Sequence, residues 1–400
     1  MTENLKPLSD ITVLDLSRVL AGPYCSMMLG DLGADIIKVE RPGLGDDTRR
    51  WNPPDAGGEA AYYLCVNRNK RSLTVNMKTP EGQKIIRELA EKSDIVIENY
   101  KVGTLKKMGL DYESLKEINP GVIYCSITGF GQNGPYKDKP GYDFMIQGMG
   151  GVMSFTGEPE GDPMKVGVAI VDITSGLFAC NAILAALRHR EKTGTGQYID
   201  IALLDSVVAW LANVGSNYLI SGKVPERHGN GHPNIVPYEP FKTKDGTYFA
   251  LAVGNDFQWK KFCDLAGLNG VSEDPRFVNN AVRVKNRKEL SPIIARKMLD
   301  RTSEEWIAAL DELKIPCGPI NSLDKVFSDP HVLARKMVAD VPHPTAGSFK
   351  MVASPMKLSE TPCDIRRHPP LLGEHTDEVL DEVLGYSEAQ VAALREGGVI

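Results

Sequence analysis

Short, mainly apolar runs alternate with helical segments through the N-terminal half of this chain, and that alternation limits the fold more than any other feature. Ile11–Leu16 and Asp35–Glu40 read as short buried strands. The segment between them, Ala21–Leu32, has Pro23 near its start and closes on Gly33, as a helix would. The pattern then repeats. Leu73–Asn76 is a strand, Thr79-Pro80-Glu81 opens a helix running to about Lys92, and Asp94–Glu98 and Val122–Ile127 are further strands. Short, mainly apolar strands that alternate with helices are those of a sheet covered on both faces. The expected class is therefore α/β, with a mostly parallel sheet covered by helices.

Apolar residues at helical spacing predict a helix over Ile173–Arg190, which Thr193-Gly-Thr-Gly196 stops. A strand over Tyr198–Leu203 and one long helix from Asp205 to about Ile220 follow. After Ser221-Gly222 the character changes. Residues 222–237 are rich in Gly and Pro and lack periodicity, which marks a linker or binding loop. Thr243-Lys-Asp-Gly246 then reads as a hairpin turn between Tyr238–Phe241 and Thr247–Val253, with amphipathic helices near 256–266, 286–300 and 303–313. The expected organisation is a large domain over 1–222, a smaller α+β domain over 223–325, and a return over 326–400 that ends in two helices.

A chain of 400 residues exceeds one ordinary core, consistent with two domains. Its net charge of −6 argues against nucleic acid as a partner. No apolar run is expected to reach the ~20 residues of a membrane span, because Asn181 and Arg188-His-Arg190 interrupt the longest candidate. The polar, acidic Met1–Asp10 does not read as a secretory signal, so a cytoplasmic protein is expected. The seven scattered cysteines contain no CxxC and read as reduced, buried thiols.

Several motifs invite a functional reading and fail on context. Gly129-Phe-Gly131-Gln-Asn-Gly134 follows a strand, but Pro135 and Tyr136-Lys-Asp-Lys-Pro140 come next instead of the helix that holds a dinucleotide's pyrophosphate. His228 and His232 are four apart, yet Gly229-Asn-Gly231 between them forms no helix to set metal geometry, so no metal site is expected. No Walker A sequence and no GxSxG elbow occur. Arg41, Arg49, Arg50, Arg68, Lys70 and Arg71 form a basic stretch, read either as a solvated face or as an anion site for a nucleotide's phosphates.

Asp172 lies between the apolar Val166–Val171 and the helix expected from Ile173. On spacing alone it reads as a helix N-cap, for which Asp is a favoured residue. A carboxylate at such a junction is also well presented for chemistry, and the two readings are compatible.

Eight segments, in order, resemble the class III CoA-transferase (CaiB/BaiF) family over nearly the whole chain. They are Leu16–Pro23, Gly33–Pro42, Ile97–Tyr100, Ser126–Pro135, Gly141–Phe144, Val166–Gly176, Thr193–Asp200 and Pro369–Thr376. The resemblance implies a large Rossmann-like domain, a small domain, and a homodimer of interlocked rings. It implies that Asp172 is a covalent nucleophile that moves CoA between carboxylic acids through an aspartyl-CoA intermediate. CoA is then a substrate, no cofactor is permanently bound, and neither membrane nor nucleic acid is a partner. Arg41 would lie by the adenine and ribose, Val19, Asn99 and Tyr100 along the pantetheine, and Lys107 and Met108 in the same groove. Gly148–Gly151 would offer N–H groups to the oxyanion.

Members acting on formyl-CoA and oxalate carry glutamine where this chain has Leu20, and a tetraglycine lid where it has Val253-Gly-Asn-Asp256. The stretch His228–Lys244 is most similar to members that use succinyl-CoA and a second dicarboxylate. That similarity makes His228 and His232, with Arg227, candidate substrate contacts. The family's α-methylacyl-CoA racemases place a catalytic histidine where this chain has Tyr142, and tyrosine is a poor base at neutral pH. Tyr142 is therefore taken as a candidate substrate contact. A racemase-like isomerase, or an oxalate-type or carnitine-type transferase, is the alternative.

Overall fold

The computed structural model describes residues 5–400. Six strands form one parallel sheet: β1 (Thr12–Asp15), β2 (Asp35–Glu40), β3 (Lys70–Thr74), β4 (Ile95–Glu98), β5 (Ile123–Thr128) and β6 (Tyr198–Ala202). Their spatial order is β3-β2-β1-β4-β5-β6, with Val13 in register with Ile36 on one side and Ile95 on the other. This is the doubly wound order of a Rossmann-like sheet. The order reverses between β1 and β4, which opens a crevice at the carboxyl ends of those two strands.

Helices α1 (Ala21–Asp31), α2 (Pro80–Lys92), α3 (Asp143–Met149) and α4 (Ile170–Thr193) matter most for the site. Thr79 caps α2 by accepting from the Gly82 N–H, and Pro80 occupies its first turn, as the sequence indicates. One face of α2 (Ile85, Ile86, Leu89, Ala90) packs into a core with Leu14, Ile37, Leu73 and Val96 of the sheet. The C-terminal helices Thr376–Glu382 and Glu388–Glu396 join that core through Val379, Leu380 and Val391.

The chain separates into two compact units. One comprises 1–150, 166–210 and 330–400, and the other 151–165 and 211–329. The helix expected as continuous from Asp205 is two helices, Leu203–Ala209 and Ala212–Ser221, with Ala212 at φ +44°. The passage between units falls at that break, ahead of the Gly222 boundary read from composition. The second unit holds a three-stranded antiparallel sheet of Tyr238–Lys242, Tyr248–Ala252 and Cys317–Pro319. Its core includes Trp259, Phe262, Trp306 and Phe249.

Helix α4 corrects the expectation about apolar length. By length and composition its 24 residues suffice to cross a bilayer, and 44% of its most apolar window is buried inside the chain. Asn181 does not break it, because its side-chain amide donates to the Leu177 carbonyl one turn back. The seven cysteines are free thiols, and Cys25, Cys125, Cys180 and Cys263 are buried.

Candidate active site

Asp172 is not a helix cap. Helix α4 begins at Ile170, three residues earlier than the apolar spacing suggests; its N-cap position is Ala169, and no side chain caps it. Asp172 therefore lies in the first helical turn, where the helix dipole favours a carboxylate. No donor among the described residues bonds its carboxylate. Burial first, and the negative charge of Asp143 second, push its pKa up to about 7.

The position of Asp172 depends on two close backbone approaches. One turn along α4, a Cβ on Gly176 would stand 2.7 Å from the Ala21 carbonyl oxygen, so only glycine lets α4 lie this close to the start of α1. A Cβ on Gly129 would stand 2.6 Å from the Gly141 Cα. The glycines that imitate a dinucleotide motif thus form a turn seated against Gly141-Tyr142-Asp143. Asp143 then accepts from the Val171 N–H (2.8 Å) and from Gln147 Nε2 (2.6 Å), while Gln147 Oε1 accepts from Val166 N–H (2.8 Å). With Gln147 wholly buried, this chain of bonds ties the segment leading into Asp172 to α3.

A cavity of about 340 Å³ lies at the sheet's crevice. Its walls include Arg18, Val19, Leu20, Asn99, Tyr100, Tyr142 and Asp172. A second cavity of about 100 Å³ shares Arg18 and Tyr100 and extends to Arg41, Lys78 and Met108. The structure thus brings Val19, Asn99, Tyr100, Tyr142 and Asp172 together, with Arg41 and Met108 in the adjoining space. Lys107 is exposed on the turn Lys106–Met108 and lines neither cavity. Tyr142 is 66% exposed.

His228 and His232 belong to the second unit. The His232 ring packs 5.1 Å from that of Tyr238. Burial, then the nearby Arg287, lowers the pKa of both histidines. No cluster of three potential metal ligands occurs among the described residues. Arg227 is committed to the carbonyls of Glu158 (3.1 Å), Ser154 (3.3 Å) and Gly161 (2.8 Å). Arg287, which sequence reasoning passed over, is the guanidinium beside the histidines, donating to the His232 and Pro233 carbonyls.

Most of the basic stretch is neither a solvated face nor an anion site. Arg49 pairs with Glu40 and Glu59, Arg68 with Asp31, Lys70 with Asp15, and Arg71 with Asp35. These cations are buried on or near the edge strand β3 and its neighbour β2, where an unpaired charge costs several kcal/mol, so each has an acid partner. Only Arg41 and Arg50 remain largely exposed, about half so. The cations that line the larger cavity instead include Arg18, Lys101, Lys137 and Lys139. Lys137 and Lys139 come from the polar run that disqualified the dinucleotide motif. Their density was the available signal.

The expected role of Gly148–Gly151 also changes. Gly148 lies inside α3, the Gly150 N–H donates to the Ile146 carbonyl (2.7 Å), and Gly151 belongs to the second unit. Helical bonding already occupies the first two. Sequence reasoning also missed Tyr62, whose hydroxyl is pushed up to about 12 by burial and then by the charge of Asp172. It packs on the buried cluster of Leu20, Met27 and Val66, as Val19 and Ile173 also do.

A partly buried carboxylate without donors among the described residues, at the switch point of a doubly wound sheet and in a cation-lined cleft, fits covalent acyl chemistry on a phosphorylated carrier. Comparison with known proteins agrees: the model of CoA-transferase family III matches residues 8–376. This chain belongs to that family. It is 46% identical over 397 residues to succinyl-CoA:glutarate CoA-transferase of Homo sapiens, covering 99% of this chain and 90% of the relative. It is 49% identical over 389 residues to succinate–glutarate CoA-transferase of Agrobacterium fabrum, covering 96% and 97%. The crystal structure of a CaiB/BaiF family protein from Brucella suis is similar at 46% identity and a TM-score of 0.83, covering 94% of this chain and 99% of that one. As a family III member the chain is a CoA-transferase, and family III enzymes work through a covalent aspartyl intermediate.

Proposed function

We propose that this enzyme transfers CoA from succinyl-CoA to a second short dicarboxylate, with Asp172 as the covalent nucleophile. The observation that carries the reading is the Asp172 carboxylate itself, unbonded and desolvated in a cleft walled by Val19, Asn99 and Tyr100. Relatives named for succinyl-CoA with glutarate, D-citramalate and mesaconate support the substrate class.

In this mechanism ionised Asp172 attacks the thioester carbonyl of the donor. The C–S bond breaks, giving a mixed anhydride and CoA thiolate. The thiolate attacks the aspartyl carbonyl and expels the donor carboxylate, leaving an aspartyl-CoA thioester. The acceptor carboxylate then attacks that thioester, and returning thiolate takes the acceptor's acyl group and frees Asp172. Each step breaks one activated acyl bond as it forms another, and overall one thioester replaces another, so the thioester's energy is not lost to water. Burial serves this twice: it excludes water, and it strips the carboxylate of solvation that would blunt its attack. Arg41 and Met108 in the adjoining cavity are assigned to the nucleotide, with Lys107 at its exposed rim. Val19, Asn99 and Tyr100 are assigned to the pantetheine, and Tyr142, His228 and His232 to the acyl group or acceptor.

The test is to incubate the enzyme with succinyl-CoA alone, reduce with borohydride, and map the modified peptide. Modification at Asp172, lost in Asp172→Asn, is expected; an adduct on another residue would refute the assignment. An exchange screen with succinyl-CoA should favour dicarboxylate acceptors, and a preference for long fatty acids would overturn the substrate class.

We also propose an interlocked homodimer. Exposed apolar side chains on both units support it: Leu177 and Phe178 on α4, and Leu219 (82%) and Ile220 (87%) on the helix Ala212–Ser221. Sedimentation at nanomolar concentration should give twice the chain mass, and an active monomer there would contradict it.

A further inference from the structure

Val19 has φ +70°. A β-branched residue in the left-handed region is a steric outlier that persists only where surrounding bonds enforce it. Val19 walls the cavity that contains Asp172, so what enforces this turn also shapes the site.

The enforcing bonds come from buried charges. The Val19 N–H faces both carboxylate oxygens of Asp46 (3.3 and 3.2 Å). Asp46 Oδ2 accepts from Lys38 Nζ (3.0 Å), and Lys38 Nζ also donates to the Ser17 carbonyl (3.0 Å). The residue between them is held from another direction. Asn99 Oδ1 accepts from the Arg18 N–H (2.9 Å), and Asn99 Nδ2 donates to the Arg18 carbonyl (2.6 Å). Three successive residues are thus gripped by side chains from β2, from the loop that follows it, and from the end of β4. Lys38 and Asp46 border the smaller cavity, with no side-chain solvent exposure, and neither lines the larger one. Their route to the larger cavity, where Val19 and Asp172 lie, is the turn.

A buried ion pair is a costly way to fill a core, since apolar residues of similar volume generally do as well. This one supplies something apolar residues do not: an acceptor for the amide of a residue in a disfavoured conformation. We propose that the Lys38–Asp46 pair is a positioning device for CoA binding, holding Val19 in its left-handed conformation so that the cavity keeps its shape. Asp46 and Lys38 are positioning residues, acting on the larger cavity through the Val19 N–H. The inference rests on the assignment of that cavity to CoA.

The test is a double-mutant cycle read by calorimetric CoA affinity and by the KM for succinyl-CoA. One arm is the paired substitution Lys38→Met with Asp46→Leu, which leaves no charge of the pair unpaired and removes the acceptor of the Val19 N–H. The other arm is Val19→Gly, because glycine adopts φ +70° freely. With Val19 present, losing the pair should weaken CoA binding about tenfold; in the Val19→Gly background the same loss should cost less than about threefold. Equal losses in both backgrounds would overturn the proposal, as would no loss with Val19 present. A paired variant that folds only in the Val19→Gly background supports it. If the paired variant folds in neither background, Asp46→Ala alone is put through the same cycle with the same two outcomes. Failure of the unaltered enzyme to bind CoA would refute the cavity assignment itself, a different result from additivity among variants that bind.

Discussion

Asp143 accepts a hydrogen bond from the Val171 N–H at 2.8 Å, so one carboxylate fixes the backbone immediately before another, that of Asp172. The same contact brings a negative charge close enough to hold the Asp172 proton, adding to the larger effect of burial. Position and protonation of Asp172 are therefore coupled through a single side chain.

Asp143→Asn separates the two effects. Asparagine keeps an oxygen for Val171 and loses the charge, so the pKa of Asp172 should fall from about 7 toward, but not to, an ordinary carboxylate value. Because the nucleophile acts ionised, the acidic limb of kcat/KM against pH should move to lower pH. A limb that stays in place would show that Asp143 exerts no charge effect.

Asp172→Asn should abolish transfer and stabilise the fold. The pKa of Asp172 is raised in the native state to about 7, so the folded chain binds its proton more tightly than the unfolded chain. The stability this group allows is complete below about pH 4 and is lost as pH rises to about 7. Removing the charge should therefore gain roughly 2–4 kcal/mol at about pH 8 and almost nothing at about pH 4, measured by denaturant unfolding. A simple cap would give no such pH-dependent gain.

Gly176→Ala should destabilise the chain despite alanine's better helix propensity. Its Cβ would meet the Ala21 carbonyl at 2.7 Å, forcing α4 away from α1. The expected loss is about 1–3 kcal/mol. A fall in kcat should accompany it, because Asp172 lies one turn away on the same helix. Unchanged stability would mean that the two helices have room to spare.

Arg41→Ala should raise the KM for acyl-CoA by roughly tenfold, equivalent to about 1.4 kcal/mol, with little change in kcat. Arg41 is about half exposed, so the effect should shrink at high salt. A loss of kcat at constant KM would move Arg41 away from the nucleotide.

The strands and α2 were legible because each depends on its own residues: an apolar run, a Thr cap, a Pro in the first turn. The small unit's hairpin was legible for the same reason, through Thr243-Lys-Asp-Gly246. The start of α4 was not, because Val166–Val171 is apolar on every side, and periodicity cannot tell a buried helix start from an extended segment. The break at Trp210–Leu211 was hidden too, since both flanking helices share one apolar pattern. The basic stretch misled because charge along a sequence does not reveal its partner. Asp31 and Asp35 pair with Arg68 and Arg71 only once β2 and β3 lie side by side.

The sequence by itself determined the α/β class, the positions of most strands, and, through eight ordered segments, the family and Asp172 as its candidate nucleophile. Only the tertiary structure decided the strand order that opens a crevice between β1 and β4, and the Gly176–Ala21 approach that brings Asp172 to it. It alone decided the neighbours that set the protonation of Asp172 and the conformation of Val19. The physical reason is range. Helix and strand preferences act over a few residues, and a single chain records them. A pKa of about 7 at Asp172 arises instead from burial and then from Asp143, and a left-handed valine is held by Asp46, groups distant in sequence that only folding brings within hydrogen-bonding distance of the site's backbone.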